Sequence, residues 1–342
     1  MKGGCDTTLR TPCAAARAVN LLSPNNLWRH PTGEAFRTGV IFPLPRRLAG
    51  LLMAIYGQPN SWTCGPFALK HGLLALGVFA REDALASAAG STEQHGTDEP
   101  GLRRAARLHG AELGVERWTN PRAARRAVVA WLDRWVPVLL CLDQWEHWVT
   151  AVAADAEHVI LFDSKYDAPL RAEPWAPLLE RLACRRHYLG GVWTSTLYDL
   201  HPLLPRRAPA LRLTLSPERA RQLMRDENAE LAASWDDYAR ALLPLALSPG
   251  DQLELGEDLE RFIASRRGAI ADRVVAACGG GGETHAAAGR VVDGLGFVAG
   301  MYRALLLPER EAAAVARLAE IAVALLPAKP REALAVAAAS AA

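Results

Sequence analysis

Residues 56–66, which read YGQPNSWTCGP, begin the part of the chain whose pattern decides the fold. Gln58 lies six residues before Cys64, and from Cys64 onward the sequence becomes apolar and helix-like. A cysteine at a helix N-terminus lies at the positive end of the backbone dipole, which favours the thiolate, the form that attacks carbonyls. The stretch therefore predicts a helix that carries an activated thiol, with an amide nearby to bind a developing oxyanion.

Both Cys64 and Gln58 also have a purely structural interpretation. Most cysteines are buried packing residues, and a glutamine just before a proline is often part of a turn. The neighbours of the thiol favour the nucleophile, because Gly65 allows close backbone approach and Pro66 lacks only an N–H that the first helical turn does not need. Cys141, by contrast, lies inside an apolar run and is expected to pack in the core.

His147 is the histidine best placed to act as a base. It begins an apolar alternating stretch between Trp145 and Trp148, where the ring would be partly screened from water. His147 with no catalytic role is the alternative, and His158 or His71 would replace it as the base if the strand register were different.

Asp163 is the candidate for the carboxylate that orients the base. It closes the strand-like run 158–162 and lies sixteen residues after His147, so a two-strand hairpin would bring the two side chains close together. There the carboxylate would accept the imidazole N–H and fix its tautomer. Asp143 is the rival, and an ordinary turn role for Asp163 is the structural alternative.

The order of the predicted elements indicates an α+β fold. Helices are expected first, at 66–78, 81–89 and 99–108, and strands follow, with two further helices between them. The predicted strands cover residues 113–118, 136–142, 147–153, 158–162 and 188–194, and the two helices cover 121–134 and 175–182. The result is a helical part with the nucleophile, packed on an antiparallel sheet.

The pattern changes again after residue 200. Three prolines interrupt the chain, and nearly everything beyond residue 216 is helical, with helices predicted at 216–246, 250–277, 285–305 and 308–326. The sequence thus predicts a poorly ordered leader at 1–45, an α+β domain at 46–200, an all-α bundle at 201–332 and an Ala-rich tail at 333–342.

Composition limits the function classes. The chain has 342 residues and a net charge of +2, with 39 basic and 37 acidic residues mixed along it, so nucleic acid is not expected as a partner. The six cysteines form no CxxC pair, and no metal or cofactor site is expected. No apolar run is long enough for a signal peptide or a membrane span, which predicts a soluble, cytoplasmic protein.

Taken together, residues 56–66, the pair Gly96-Thr97, the run His147-Trp148-Val149 and Asp163 resemble the bacteriocin-processing cysteine peptidases, the double-glycine leader peptidases of the papain-like superfamily. The resemblance covers about residues 50–195. It implies a papain-like fold for the α+β domain, in a stand-alone soluble relative of the family. One departure is Ser164, which follows the aspartate where proline is expected.

By this resemblance Cys64 is the nucleophile, His147 the general base, Asp163 the orienting residue and Gln58 the oxyanion donor. The leading hypothesis is a cysteine peptidase that hydrolyses peptide bonds in a peptide or protein substrate. Two alternatives remain: an acyl transferase that passes the acyl group to an amine, and a catalytically silent module that binds peptides. The helical C-terminal region is expected to bind a protein partner or to regulate.

Overall fold

The structure is a computed structural model that describes residues 55–187, 194–207, 212–247, 256–279 and 281–326. The predicted leader and Ala-rich tail lie outside these ranges, as does all but the last residue of the strand predicted at 188–194. The chain divides into two compact units, one made of residues 1–208 and 216–225 and the other of 209–215 and 226–342. The four segments predicted from the sequence stay a prediction.

The first unit begins with helices and continues with strands. Its helices are α1 (Cys64–Ala75), α2 (Glu82–Ala89), α3 (Glu99–Leu108), α4 (Pro121–Leu132), α5 (Trp175–Leu182) and α6 (Pro217–Leu223). Its strands are β1 (Ala111–Leu113), β2 (Glu116–Trp118), β3 (Val138–Leu142), β4 (His147–Ala154), β5 (His158–Phe162), β6 (Leu170–Pro174), β7 (Cys184–His187) and β8 (Thr194–Pro205).

All the described strands of the first unit join one antiparallel sheet, which confirms the predicted α+β class. Its order is β1-β8-β3-β4-β5-β6, and β2 and β7 also pair with β8. Strand β3 separates two apolar cores: Leu139 and Cys141 belong to the core with α1, α2 and α3, and Val138, Leu140 and Leu142 belong to the core with α4 and α5. This alternation is the period-two pattern of a strand covered on both faces.

Helix α1 lies directly on strand β4. Thr150 Oγ1 donates a hydrogen bond to the Ala68 carbonyl at 2.5 Å. At Gly72 a Cβ atom would stand 2.9 Å from a methyl carbon of Leu203 and 3.1 Å from one of Leu139. Only glycine permits an approach this close. The same approach holds the beginning of the helix, with Cys64, beside the sheet.

Strand β8 lies where prolines were expected to interrupt the chain. It continues through Pro202 and past the predicted boundary between residues 200 and 201. The proline is tolerated because it lies opposite Gly114, in the interval between β1 and β2, where its carbonyl accepts the Gly114 N–H at 2.8 Å and no N–H is needed. That interval also divides the single strand predicted at 113–118.

The second unit is mostly helical. Its helices are α7 (Ala229–Ala233), α8 (Trp235–Leu242), α9 (Leu259–Cys278), α10 (Gly282–Met301) and α11 (Glu311–Leu325). It also has a small sheet in the order β10-β11-β9, built from β9 (Ala246–Leu247), β10 (Glu257–Asp258) and β11 (Leu305–Leu306). The expectation of an all-α bundle is therefore wrong in this detail, since extended segments between the helices pair with one another.

The helix predicted at 216–246 is interrupted. The chain leaves α6 at Met224 and makes a 3₁₀ turn at Asp226–Asn228 before α7 begins. Aspartate and asparagine compete with the helix by bonding to nearby backbone groups, which explains the break. Among the described helices, none combines the length and the apolar composition needed to cross a bilayer.

Candidate active site

Cys64 is the first residue of α1 and is almost completely buried. Gly65 and Pro66 follow it in the first turn. A Cβ at Gly65 would stand only 2.7 Å from the Cβ of Thr97, so the glycine of the sequence motif is required by close packing against this threonine. The sulfur therefore lies at a helix N-terminus whose position is fixed by packing.

Asn60 shapes the turn that leads into the helix. Its Oδ1 accepts hydrogen bonds from Trp62 N (3.2 Å), Thr63 N (3.0 Å) and Thr63 Oγ1 (2.9 Å). The position preceding the helix, Thr63, makes no side-chain cap of its own. The sequence interpretation overlooked Asn60, although an asparagine three or four residues before a helix is the usual signal of such a turn.

His147 is the first residue of β4 and links the thiol to the carboxylate. Its Nε2 lies 2.6 Å from Asp163 Oδ1, and its ring also makes a hydrogen bond with Cys64. Since Nε2 faces the carboxylate, Nδ1 is the ring nitrogen left for the sulfur. The structure thus brings together Cys64, His147 and Asp163 in one connected chain of side chains.

The charge state of His147 follows from its surroundings. Burial favours the neutral ring, but the hydrogen bonds and charges of Asp163 and Cys64 outweigh it and raise the pKa of His147 to about 9. A positive ring beside a thiol in turn favours the thiolate. The arrangement is therefore suited to a thiolate–imidazolium pair at neutral pH.

Asp163 is 1% exposed and directly follows β5. Oδ1 accepts from His147 and from the backbone N–H of Lys165 at 3.1 Å, and Oδ2 lies 3.8 Å from Arg181 Nη2. Burial opposes ionisation, but the hydrogen bond and charge of His147 prevail and hold the pKa of Asp163 below its usual value. The rival, Asp143, pairs with Arg181 instead, through two contacts of 3.1 Å.

The two alternative bases lie elsewhere. His71 is buried on α1, with its ring 4.9 Å from that of Phe162, and neither of its ring nitrogens has a hydrogen-bond partner among the described residues. Burial, and next the charge of Lys70, lower the pKa of His71 to about 3. His158 begins β5 and lies 3.7 Å from Asp155 in the hairpin.

The orientation of the Gln58 amide is fixed by its neighbours. Nε2 donates to the Asn60 carbonyl at 2.6 Å, and Oε1 accepts from Ser164 Oγ at 2.7 Å. A carbonyl can only accept, so the atom that faces Asn60 must be the amide nitrogen. The second N–H of Gln58 is left over for another acceptor.

A polar cavity of about 510 Å³ adjoins the carboxylate side of the site. Arg181 lies in its wall and also approaches Asp163, so the cavity and the buried carboxylate share a cation. The rest of the polar lining comes from Asp143, Lys165, Tyr166, Arg171 and Glu173. The sequence showed Ser164 only as a departure from an expected proline and gave no sign of Arg181, because the contacts that both residues make lie far away along the chain.

Two peptidase domains are among the solved structures that are similar to this chain. One is the peptidase domain of Streptococcus ComA, a bifunctional ABC transporter involved in a quorum-sensing pathway, at 14% identity and a TM-score of 0.34, covering 45% of this chain and 98% of that one. The other is a double-glycine-motif protease from an AMS/PCAT transporter in complex with the leader peptide, at 14% identity and a TM-score of 0.33, covering 45% and 91%. No protein-family model and no curated protein matches the chain.

Proposed function

We propose that the protein is a papain-like cysteine peptidase in which Cys64 is the nucleophile, His147 the general base and acid, Asp163 the orienting carboxylate and Gln58 the oxyanion donor. One observation carries the proposal: His147 contacts the thiol with one side of its ring and the buried Asp163 with the other. This is the relation among nucleophile, base and orienting group that covalent acyl transfer requires.

The proposed reaction proceeds in two halves. The Cys64 thiolate attacks the peptide carbonyl, and the negative charge on the tetrahedral intermediate is bound by the free N–H of Gln58 and the backbone N–H of Cys64. The His147 imidazolium then gives its proton to the departing amine, which leaves an acyl-enzyme. Water attacks the acyl-enzyme while His147 takes its proton, and the acid product leaves with the thiolate restored.

The substrate is proposed to be a peptide or protein, as for the peptidases that the motifs resemble. A peptide cleaved after two glycines is the first candidate to test. A thiol enzyme needs a reduced nucleophile, so we place the reaction in a reducing compartment such as the cytoplasm. The helical second unit is assigned to partner binding, and a pull-down unchanged by deletion of residues after 225 would contradict that assignment.

Selective labelling tests whether Cys64 is activated. A fluorescent iodoacetamide at pH 7 is expected to label Cys64 far faster than Cys141 and Cys184, because His147 favours the Cys64 thiolate; the other two cysteines are buried to a similar degree and serve as matched internal controls. Cys64→Ala should abolish the fast labelling, whereas Cys141→Ala and Cys184→Ala should leave it unchanged. If Cys64→Ala leaves the fast labelling unchanged, Cys64 is not the activated thiol and the proposed enzyme loses its nucleophile.

A digest of a peptide library, followed by mass spectrometry, tests the reaction itself. Hydrolysis is expected with the wild-type protein and none with Cys64→Ala, and peptides that contain two adjacent glycines form one arm of the library. Repeating the digest with an added primary amine detects acyl transfer, the alternative reaction at the same residues. Fast labelling of Cys64 without any cleaved or transferred product would favour a peptide-binding module.

A further inference from the structure

Ser164 stands between the two sides of the candidate site. It follows Asp163 directly, is 2% exposed, and meets Gln58 twice. Its hydroxyl donates to Gln58 Oε1 at 2.7 Å, and its carbonyl accepts the Gln58 backbone N–H at 2.6 Å. The side chain and the main chain of one serine therefore hold the glutamine.

The neighbouring residues keep this contact close. A Cβ atom at Gly57 would stand 2.8 Å from the Tyr166 carbonyl oxygen and 3.4 Å from that of Ser164. A backbone oxygen cannot move aside as the end of a flexible side chain can. Residues 57 and 58 thus pack closely against residues 164–166, and this packing fixes the backbone position of Gln58.

The serine hydroxyl has a directional role at this point. Its proton must go to Oε1, because the Asn60 carbonyl already determines which end of the amide is nitrogen. If the amide turned over, Oε1 would face the oxyanion and repel it. The Ser164 hydroxyl binds the oxygen of the Gln58 amide, and the Asn60 carbonyl binds its nitrogen. Together they fix the direction of the second Gln58 N–H, which points away from both of these partners.

We propose that Ser164 is a positioning residue that sets the orientation of the Gln58 oxyanion donor. This rests on the proposed function, in which Gln58 donates to the tetrahedral intermediate. Because Ser164 is bonded to Asp163, one dipeptide then positions both the carboxylate that orients the base and the amide that binds the oxyanion. The two arms of the catalytic site keep their mutual geometry through a single peptide unit.

Two reactions of Cys64 separate this role from general damage to the site. Acylation by p-nitrophenyl acetate passes through an oxyanion, and its rate is read from the burst of nitrophenolate. Alkylation by iodoacetamide displaces iodide at a saturated carbon and forms no oxyanion. A positioning residue for the oxyanion donor should affect the first reaction and spare the second.

The expected results are specific. Ser164→Ala should slow acylation roughly tenfold to a hundredfold at saturating ester with little change in half-saturation, since a misplaced catalytic group costs about this much. Gln58→Ala should lose roughly a hundredfold or more. The double variant should be no slower than Gln58→Ala, because the serine acts only through the glutamine. Iodoacetamide rates should match the wild type throughout.

Control variants complete the design. Ser61→Ala removes an exposed hydroxyl from the turn that carries Gln58 and should change neither reaction. Ser164→Thr keeps the hydroxyl and should recover most of the acylation rate. If the added methyl group prevents that recovery, the double variant still decides, because independent effects would multiply.

The outcomes distinguish the two proposals. A wild-type protein with neither fast alkylation of Cys64 nor a burst would overturn the proposed function. A wild type with both, together with a Ser164→Ala burst at the wild-type rate, would overturn only the role of the serine. So would an equal loss in alkylation and acylation, or losses that multiply in the double variant.

Discussion

The substitution Asp163→Asn tests how the charge on His147 is maintained. It preserves the size of the buried side chain and removes its charge. The oxygen of the asparagine is expected to stay at the Oδ1 position, where His147 and the Lys165 N–H both donate. The new NH₂ group then faces Arg181 Nη2, which lies 3.8 Å from Oδ2 in the native protein. Turning the amide would instead set NH₂ against the Lys165 N–H at hydrogen-bond distance, so the substitution acts by removing the charge and not by changing the tautomer.

The expected loss of rate in Asp163→Asn follows from the pKa of His147. A rise from 6.5 to about 9 corresponds to roughly 3 kcal/mol in favour of the charged ring. Asp163 supplies the largest of the contributions that raise the pKa, against burial, which lowers it. Without the carboxylate we expect the pKa of His147 to fall back toward its ordinary value of 6.5. If the transition state for amide hydrolysis loses the same stabilisation as the charged ring, the reaction should slow by roughly a hundredfold.

The loss of rate in Asp163→Asn should depend on pH in one direction. In the proposed mechanism the imidazolium protonates the departing amine, so wild-type hydrolysis of an amide should decline as pH rises through about 9. In Asp163→Asn the decline should begin near pH 7, and the ratio of wild-type to variant rates should therefore grow from pH 6 to pH 8. The measurement is the pH profile of kcat/KM for an amide substrate taken from the library digest.

An ester substrate and a matched variant serve as controls. Nitrophenolate leaves without a proton, so the basic decline should be much weaker with p-nitrophenyl acetate. Asp167→Asn removes an exposed carboxylate from the same loop and should leave both profiles unchanged. A variant whose decline remains near pH 9, or whose loss is the same at every pH, would refute the assignment of Asp163.

Three further changes test the surroundings of the site. Asn60→Ala should lower the free energy of unfolding in urea by about 1–2 kcal/mol, because it removes the acceptor at the start of α1, whereas Asn60→Asp keeps the acceptor and should cost less. Lys70→Met should lower the free energy of unfolding by about 3–5 kcal/mol, because it removes the ammonium group that lies 3.3 Å from the buried Glu82 carboxylate. The double variant with Glu82→Gln should recover part of that loss. In the wild type, the free energy of unfolding should fall by up to roughly 5 kcal/mol as pH drops from 6.5 toward about 3, because His71 is protonated in the unfolded state but stays neutral in the folded state. His71→Phe has no ring to protonate and should lack this part of the acid destabilisation. An acid profile unchanged in His71→Phe would contradict this last account.

The sequence was most informative where chemistry and local structure coincide. Residues 56–66 predicted both the nucleophile and the helix that begins with it, because a helix start and an activated thiol share one physical cause, the exposed N–H groups of the first turn. The hairpin that brings His147 near Asp163 was also predictable, since two apolar runs with a short connection have few ways to pair. The roles of these residues stay predictions until the reactions are measured.

Other features depend on contacts that sequence patterns do not display. Ser164 meets Gln58 across 106 positions of the chain, and Arg181 approaches Asp163 from helix α5. Strand β8 passes through Pro202 because the sheet has an interval opposite it, which the proline itself does not reveal. Tertiary partners decide such positions, and local propensity gives way to them.

The candidate site joins two parts of the first unit that are far apart in the sequence. Gln58 and Cys64 come from the helical part, and His147, Asp163 and Ser164 come from the sheet. The positions of the sulfur and the ring relative to each other are therefore set by how helix α1 lies on strand β4. Catalysis in the proposed mechanism depends on that packing as directly as on the reacting groups.

Gly72 is where this dependence is sharpest. It lies eight residues beyond Cys64, which is about 12 Å along the helix, and it touches none of the proposed catalytic groups. An added methyl group would stand 2.9 Å from a methyl carbon of Leu203 and 3.1 Å from one of Leu139, and because both leucines are fully buried, their side chains, the helix or both would have to shift. Close-packed interiors transmit such a shift because they have no free space to absorb it. Any movement of α1 away from the sheet would take the sulfur away from an imidazole that stays on β4, and the hydrogen-bonded chain from Cys64 to Asp163 would open although all three residues are still present.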